Sequence, residues 1–96
     1  MYDTLKNGRT QFIARPAGGV TKVEVAGAHT NWMPVAMKRR ADGTYQATVK
    51  LPPGAHEYKF VVDGAWHTDP DNKLVVPNPF GTVNSLAMIP RQNVTA

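Results

Sequence analysis

Cysteine is absent from this chain of 96 residues, which excludes a disulfide scaffold, a thiolate-bound zinc module and a thiol nucleophile. Long apolar runs are missing as well. No stretch approaches the roughly 18–20 residues of a membrane span, and Met1-Tyr2-Asp3-Thr4-Leu5-Lys6 lacks the apolar core of a secretory signal. A cytoplasmic location with no membrane partner is therefore expected. Charge of one sign is scarce: 11 Lys+Arg stand against 7 Asp+Glu, a net +4. The basic residues are scattered, and only Lys38-Arg39-Arg40 forms a run. A solvated loop or strand end is expected there and no nucleic acid as partner. The length leaves room for one small domain, 1–96, with its core at about 9–90 and both ends, Met1–Asn7 and Arg91–Ala96, loosely held.

Helical periodicity is the third absence. Gly and Pro, 8 of each, interrupt the chain so often that its longest stretch free of both is Ala55 to Asp63. No window sustains a 3.6-residue repeat. The chain has short alternating stretches instead. Val23 and Val25 oppose Lys22 and Glu24; Tyr45, Ala47, Val49 and Leu51 oppose Gln46, Thr48 and Lys50; Tyr58, Phe60 and Val62 oppose Glu57 and Lys59. Phe12-Ile13 and Leu86-Ala87-Met88-Ile89 are expected as outer strands. Short strands at this spacing with turn residues between them predict an all-β sandwich of antiparallel strands.

Two Asp-Gly pairs set registers. Met37 shares the apolar face of Tyr45, Ala47 and Val49 only if the intervening loop is odd in length. A three-residue loop Ala41-Asp42-Gly43, with Gly43 left-handed, pairs Met37 with Ala47 and Val35 with Val49. Asp63-Gly64 suits a two-residue primed turn. That turn sets Val62 against Ala65, Val61 against Trp66, Phe60 against His67 and Lys59 against Thr68. Trp66 then lies on the face of Val61 and Lys59, opposite to Tyr58, Phe60 and Val62.

If the Tyr-Phe-Val face is the core, an indole and an ammonium stand together on the outside. That pair suits a sugar: the axial C–H groups of a glucopyranose lie flat on an indole, while its hydroxyls need donors and acceptors. A stacked ring that removes about 80–100 Å² of apolar surface from water gains on the order of 2 kcal/mol. In the other possibility, Trp66 packs on a second sheet. The pattern leaves both open, and the position of Trp32, beside Met33-Pro34, cannot be derived from it.

The order of several blocks is distinctive. Val25-Ala26-Gly27-Ala28-His29-Thr30-Asn31-Trp32, Asp42-Gly43-Thr44-Tyr45 and Leu51-Pro52-Pro53-Gly54 precede Glu57-Tyr58-Lys59-Phe60-Val61-Val62-Asp63-Gly64-Ala65-Trp66. Asp69-Pro70 and Phe80-Gly81-Thr82-Val83-Asn84-Ser85 follow. From about Thr21 to Ile89 the chain resembles carbohydrate-binding module family 48, an early-set immunoglobulin-like domain. It is most similar to the glycogen-binding domain of the AMP-activated protein kinase β subunit. The resemblance implies non-catalytic binding of α-1,4-glucan: glycogen, starch, maltooligosaccharide or cyclodextrin. It implies that Trp32 and Trp66 are the two aromatic platforms, that Lys59 and Asn84 contact sugar hydroxyls, and that Thr82 is their neighbour. Phe80 stands where the kinase domains carry a leucine that enters the curve of the sugar. Ala28-His29-Thr30 departs from the usual Ser-Phe-Asn, and His29 is expected as a solvated loop residue or a polar contact at the rim.

Other chemistry is set aside. His29, His56 and His67 are too widely spaced for a metal motif. Asp69-Pro70-Asp71-Asn72 opens like a calcium loop but has Leu74 and Phe80 where glycine and glutamate are needed, so a turn is expected. Glu57 and Asp63 share one strand and form no cleft, and Ser85 has no glycine elbow. Asn93-Val94-Thr95 is a glycosylation sequon, relevant only in a secretory compartment. No enzyme activity, metal or cofactor is expected. The alternative function is a protein-interaction module that docks on a kinase or amylolytic subunit or domain; a piece cut from a larger amylolytic enzyme is a third possibility.

Overall fold

The computed structural model describes residues 1–91, whose alternating stretches form strands of two antiparallel sheets. The longest strand, β7 (Gly54–Val62), occupies the window that Gly and Pro spare. It pairs along one edge with β3 (Val23–Gly27), and along the other with β10 (Val83–Ile89) and then with β8 (Ala65–His67). β4 (Val35–Ala36) beside β3 and β9 (Val75–Pro77) beside β10 complete a six-stranded sheet. The second sheet runs β1 (Tyr2–Thr4), β2 (Thr10–Ala14), β6 (Tyr45–Val49), β5 (Lys38–Arg39). One 3₁₀ turn, Ala28–Thr30, follows β3. No helix among the described residues is long and apolar enough to cross a membrane.

The core lies between the sheets and follows the period-two rule. Phe12 and Ala14, Val23 and Val25, Tyr58 and Phe60, and Ala87 and Ile89 are buried pairs two residues apart. The Tyr58 ring meets Phe12 at 4.7 Å and Phe60 at 5.7 Å between centroids. Burial of each Val, Ile or Phe in this layer contributes about 1.5–3 kcal/mol.

The hairpin at Asp42-Gly43 has the expected three-residue loop. Arg40 N–H donates to the Thr44 carbonyl at 2.7 Å, Gly43 has φ 86°, and Lys38 pairs with Gln46. Neither expected pair forms: the ladder ends at Lys38–Gln46, short of Met37–Ala47, and Val35 does not meet Val49. Val35 pairs with Val25 in the other sheet, because the chain changes sheets at Met37, whose N–H donates to the Val23 carbonyl. The register rule holds only while both strands stay in one sheet; the free edge of β3 takes Val35–Ala36. The two expected outer strands are also interior. β2 lies between β1 and β6, and β10 between β7 and β9. The covering strands are three residues long and show no alternation that would announce them.

Met1–Asn7 is held more firmly than expected. Tyr2 pairs with Phe12, and the Tyr2 hydroxyl accepts the Met88 N–H at 3.0 Å. Residues 92–96 of the expected loose tail, including the Asn93-Val94-Thr95 sequon, lie outside the described residues. The Asp69 turn contains a buried polar centre. Asp69 accepts the Tyr58 hydroxyl at 2.7 Å, the Asp71 N–H at 2.9 Å and the Met1 ammonium, while its own N–H donates to Ser85 Oγ at 2.7 Å. Burial, then the bond to Asp69, hold the Tyr58 phenol well above its ordinary range.

Candidate functional site

The β7–β8 hairpin turns through Asp63 (φ 46°) and Gly64 (φ 85°), the left-handed pair that a two-residue primed turn requires. Val62 faces Ala65, Val61 faces Trp66 and Phe60 faces His67. The ladder ends at His67, so the expected Lys59–Thr68 pair is not part of it. Alternation sends Tyr58 and Phe60 into the core and Glu57, Lys59, Val61 and Trp66 to the outer face. Trp66 is 46% exposed, whereas Val61 beside it is only 3% exposed. The Asp63 carboxylate clamps this end of the sheet, accepting from the Thr21 hydroxyl and N–H and from the Lys22 N–H.

Trp32 reaches the same side by a strained turn. Gly27, the last residue of β3, lies so close to β7 that an added Cβ would stand 2.5 Å from the Glu57 carbonyl. Its N–H donates to the Thr30 hydroxyl, which donates back to the Gly27 carbonyl. Asn31 and Trp32 then both take positive φ, 53° and 61°. The left-handed region costs a bulky residue on the order of 1–2 kcal/mol. Here it is held by the Trp32 N–H donating to the Gly27 carbonyl at 2.9 Å. The result is an indole 37% exposed. Strain of this kind concentrates where a side chain is held for a ligand.

His29 departs from both expectations. Its ring stacks on Phe12 at 5.8 Å, and both ring nitrogens are buried without a partner. Desolvation, then the neighbouring His56, lower its pKa from the ordinary 6.5. It is a packing residue under the Trp32 turn.

The third segment is the β9–β10 hairpin. Val83 pairs with Pro77, Asn78 N–H donates to the Thr82 carbonyl, and Gly81 (φ 80°) closes a loop of Pro79, Phe80 and Gly81. Phe80 stands at its tip, 89% exposed. Thr82 accepts from Lys59 Nζ at 3.2 Å, and Asn84 donates from Nδ2 to Glu57 Oε1 at 2.9 Å.

Trp32, Lys59, Trp66, Phe80, Thr82 and Asn84 line one hollow of about 510 Å³ on the outer face of the six-stranded sheet, joined by Ala28, Glu57, Asn78 and Pro79. Glu57 escaped sequence reasoning as a lining residue although its spacing of two from Lys59 placed it on that face. Asn78 gave only the signal of a turn residue between two prolines. The hollow is apolar at the indoles and Phe80 and polar along Lys59, Thr82, Asn84 and Glu57, as a sugar with flat C–H faces and a hydroxyl edge demands.

Comparison with known proteins matches residues 11–95 to the family described as the glycogen recognition site of AMP-activated protein kinase. The chain is 34% identical over 93 residues to 5'-AMP-activated protein kinase subunit beta-1 of Sus scrofa, an alignment covering 92% of this chain and 75% of that sequence. Against beta-1 of Mus musculus it is 33% identical over 93 residues, covering 92% and 34%. Against beta-2 of Mus musculus it is 32% identical over 81 residues, covering 84% and 30%. The chain thus spans about a third of the length of the two mouse subunits. With its early-set resemblance, two antiparallel sheets and near-complete family match, the chain belongs to the glycogen-recognition family of AMP-activated protein kinase.

Proposed function

We propose that this chain is a single module that binds α-1,4-glucan, glycogen or a starch-like polymer, at the hollow between Trp32, Trp66 and Phe80, without catalysing any change in it. The observation that carries this is the convergence of three separate chain segments, one bearing each aromatic, on one outward hollow with a polar side. Trp32 and Trp66 stack on glucose faces, and Lys59 and Asn84 bond hydroxyls. Phe80 enters the curve of the polymer, with Thr82 at its base. The phenylalanine in place of the family's leucine keeps an apolar wedge and changes the shape of the space it fills. Each stack contributes on the order of 2 kcal/mol, and two with a few exposed hydrogen bonds give a Kd in about the micromolar to millimolar range. Successive rings of a coiled glucan meet the two indoles at an angle, which favours it over a flat β-linked chain.

The relatives' description as kinase subunits supports a place beside a kinase in a larger assembly. The absence of cysteine suits a reducing, cytoplasmic setting.

Titration with β-cyclodextrin, read by tryptophan fluorescence and chemical shifts, tests the function. Binding in that range is expected, with Trp66→Ala weakening it roughly 30-fold, the equivalent of about 2 kcal/mol. No response to millimolar β-cyclodextrin, together with free migration through glycogen in an affinity gel, would overturn it.

A further inference from the structure

The polar side of the hollow is organised by one residue whose hydrogen-bonding capacity is already spent. Asn78 Oδ1 accepts two backbone N–H groups, from Phe80 at 3.0 Å and from Thr82 at 3.2 Å. Asn78 Nδ2 donates to Thr82 Oγ1 at 2.7 Å and to Asn84 Oδ1 at 2.9 Å. An amide side chain has two acceptor and two donor positions, and all four are occupied. Because the oxygen faces two backbone N–H groups, which can only donate, the orientation of the amide is unambiguous. Asn78 therefore has nothing left with which to bond a sugar.

Its neighbours do. Thr82 Oγ1 accepts from Asn78 and also from Lys59 Nζ, so both its lone pairs are used and its own proton must point elsewhere. Asn84 has its oxygen fixed by Asn78 and one N–H on Glu57, which leaves its second N–H available. Lys59 keeps two of its three N–H groups. The chain Lys59–Thr82–Asn78–Asn84–Glu57 is thus a single hydrogen-bonded run in which donor and acceptor roles are set before any ligand arrives.

We propose that Asn78 is the positioning residue of the glucan site, and that it makes Thr82 and Asn84 hydrogen-bond donors toward the sugar. The inference rests on the glucan-binding function proposed above and specifies its polar recognition. The site recognises acceptor oxygens of adjacent sugar hydroxyls through the Thr82 hydroxyl, the Asn84 amide and the Lys59 ammonium; the Glu57 carboxylate is the acceptor at the end of the run. Preset donors lose little orientational freedom on binding, and a ligand that lacks the matching oxygen leaves them unpaired.

The test uses Asn78→Asp, which keeps both acceptors for the Phe80 and Thr82 N–H groups but removes both donors. The Thr82 proton then turns inward to the new carboxylate, and Asn84 loses its fixed orientation. The expected result is β-cyclodextrin affinity reduced roughly tenfold, the scale of one hydrogen bond or two, with an unchanged far-UV spectrum. Thr82→Val alone should cost about the same, and adding it to Asn78→Asp should cost nothing further, because in that background the hydroxyl no longer faces the sugar. If Asn78 only holds the loop, Asn78→Asp binds within about twofold of the parent and the two changes add; either result overturns the proposal. Should Asn78→Asp not fold, the parent protein decides by NMR. The Asn78 side-chain amide protons should keep their shifts and slow exchange when β-cyclodextrin binds, while one Asn84 amide proton moves. A direct nuclear Overhauser contact from the Asn78 amide to the sugar would sink the positioning role. Trp66→Ala in the same titration separates the two claims: its loss of binding beside an unaffected Asn78→Asp rejects the positioning role alone. A parent that binds no α-glucan rejects both.

Discussion

At the scale of single residues, the platform that no pattern could place, Trp32, depends on two neighbours. Gly27 is needed because its Cα stands against the Glu57 carbonyl; the extended backbone at this position would accept any residue. Gly27→Ala should destabilise the fold by about 1–3 kcal/mol, as overpacking does, and weaken glucan binding by shifting the Trp32 turn. Urea unfolding and a β-cyclodextrin titration check both. His29 makes this region sensitive to acid. Its folded-state pKa lies below the ordinary 6.5, so the unfolded chain takes up a proton that the folded chain refuses. The stability from this site is complete above that value and is lost as pH falls below it. The melting temperature should therefore drop between pH 7.5 and 5.5, and His29→Phe, which keeps a ring on Phe12, should reduce the drop. An unchanged pH slope in the variant would argue against it.

At the scale of elements, hairpins aim the aromatics. The β7–β8 turn presents Trp66, and the Asp63 carboxylate ties that turn to Thr21 and Lys22 at the start of β3. The Thr21 hydroxyl, then the Lys22 N–H, lower the Asp63 pKa from its ordinary 3.8. A carboxylate with a depressed folded-state pKa contributes stability that is present above the unfolded value and disappears as pH falls through the folded one. Asn tolerates the same positive φ, so Asp63→Asn isolates the charge. It should melt earlier than the parent at pH 7, with the gap closing at pH below 3.8. In the β9–β10 hairpin, Gly81 at φ 80° closes the loop under Phe80. Gly81→Ala should cost about 1–2 kcal/mol from the left-handed backbone and weaken β-cyclodextrin binding, whereas a stable variant with full affinity would show that the loop does not aim Phe80.

For the molecule as a whole, an apolar layer joins the two sheets, and the Asp69 centre braces the six-stranded one. Asp69 links β7 through Tyr58 and β10 through Ser85. Its removal leaves the buried Tyr58 hydroxyl without its acceptor, and leaving a buried donor unsatisfied costs about 1–3 kcal/mol. Asp69→Ala should therefore lower the melting temperature by roughly 4 °C or more in calorimetry, while glucan binding at a temperature where the variant is folded changes little, because Asp69 does not line the hollow. A small shift would mean that ordered water replaces the carboxylate.

The two-residue period, the Gly and Pro punctuation and the two Asp-Gly turns already determined an antiparallel all-β chain, the Val61–Trp66 register and that Trp66 and Lys59 share one face, opposite to Tyr58 and Phe60. These are local consequences of backbone alternation and turn geometry, which need no knowledge of distant strands. The family resemblance named Trp32, Phe80, Thr82 and Asn84, but no local rule placed them beside Trp66. Only the tertiary structure decided that Val35 leaves its hairpin for the edge of β3, that the His29 ring stacks half-buried on Phe12 and that Asp69 is an internal hub. It alone showed Asn78 spending its whole hydrogen-bonding capacity between Thr82 and Asn84. Each of these depends on contacts between segments far apart in sequence, where burial and the need to satisfy every polar group outweigh local preference.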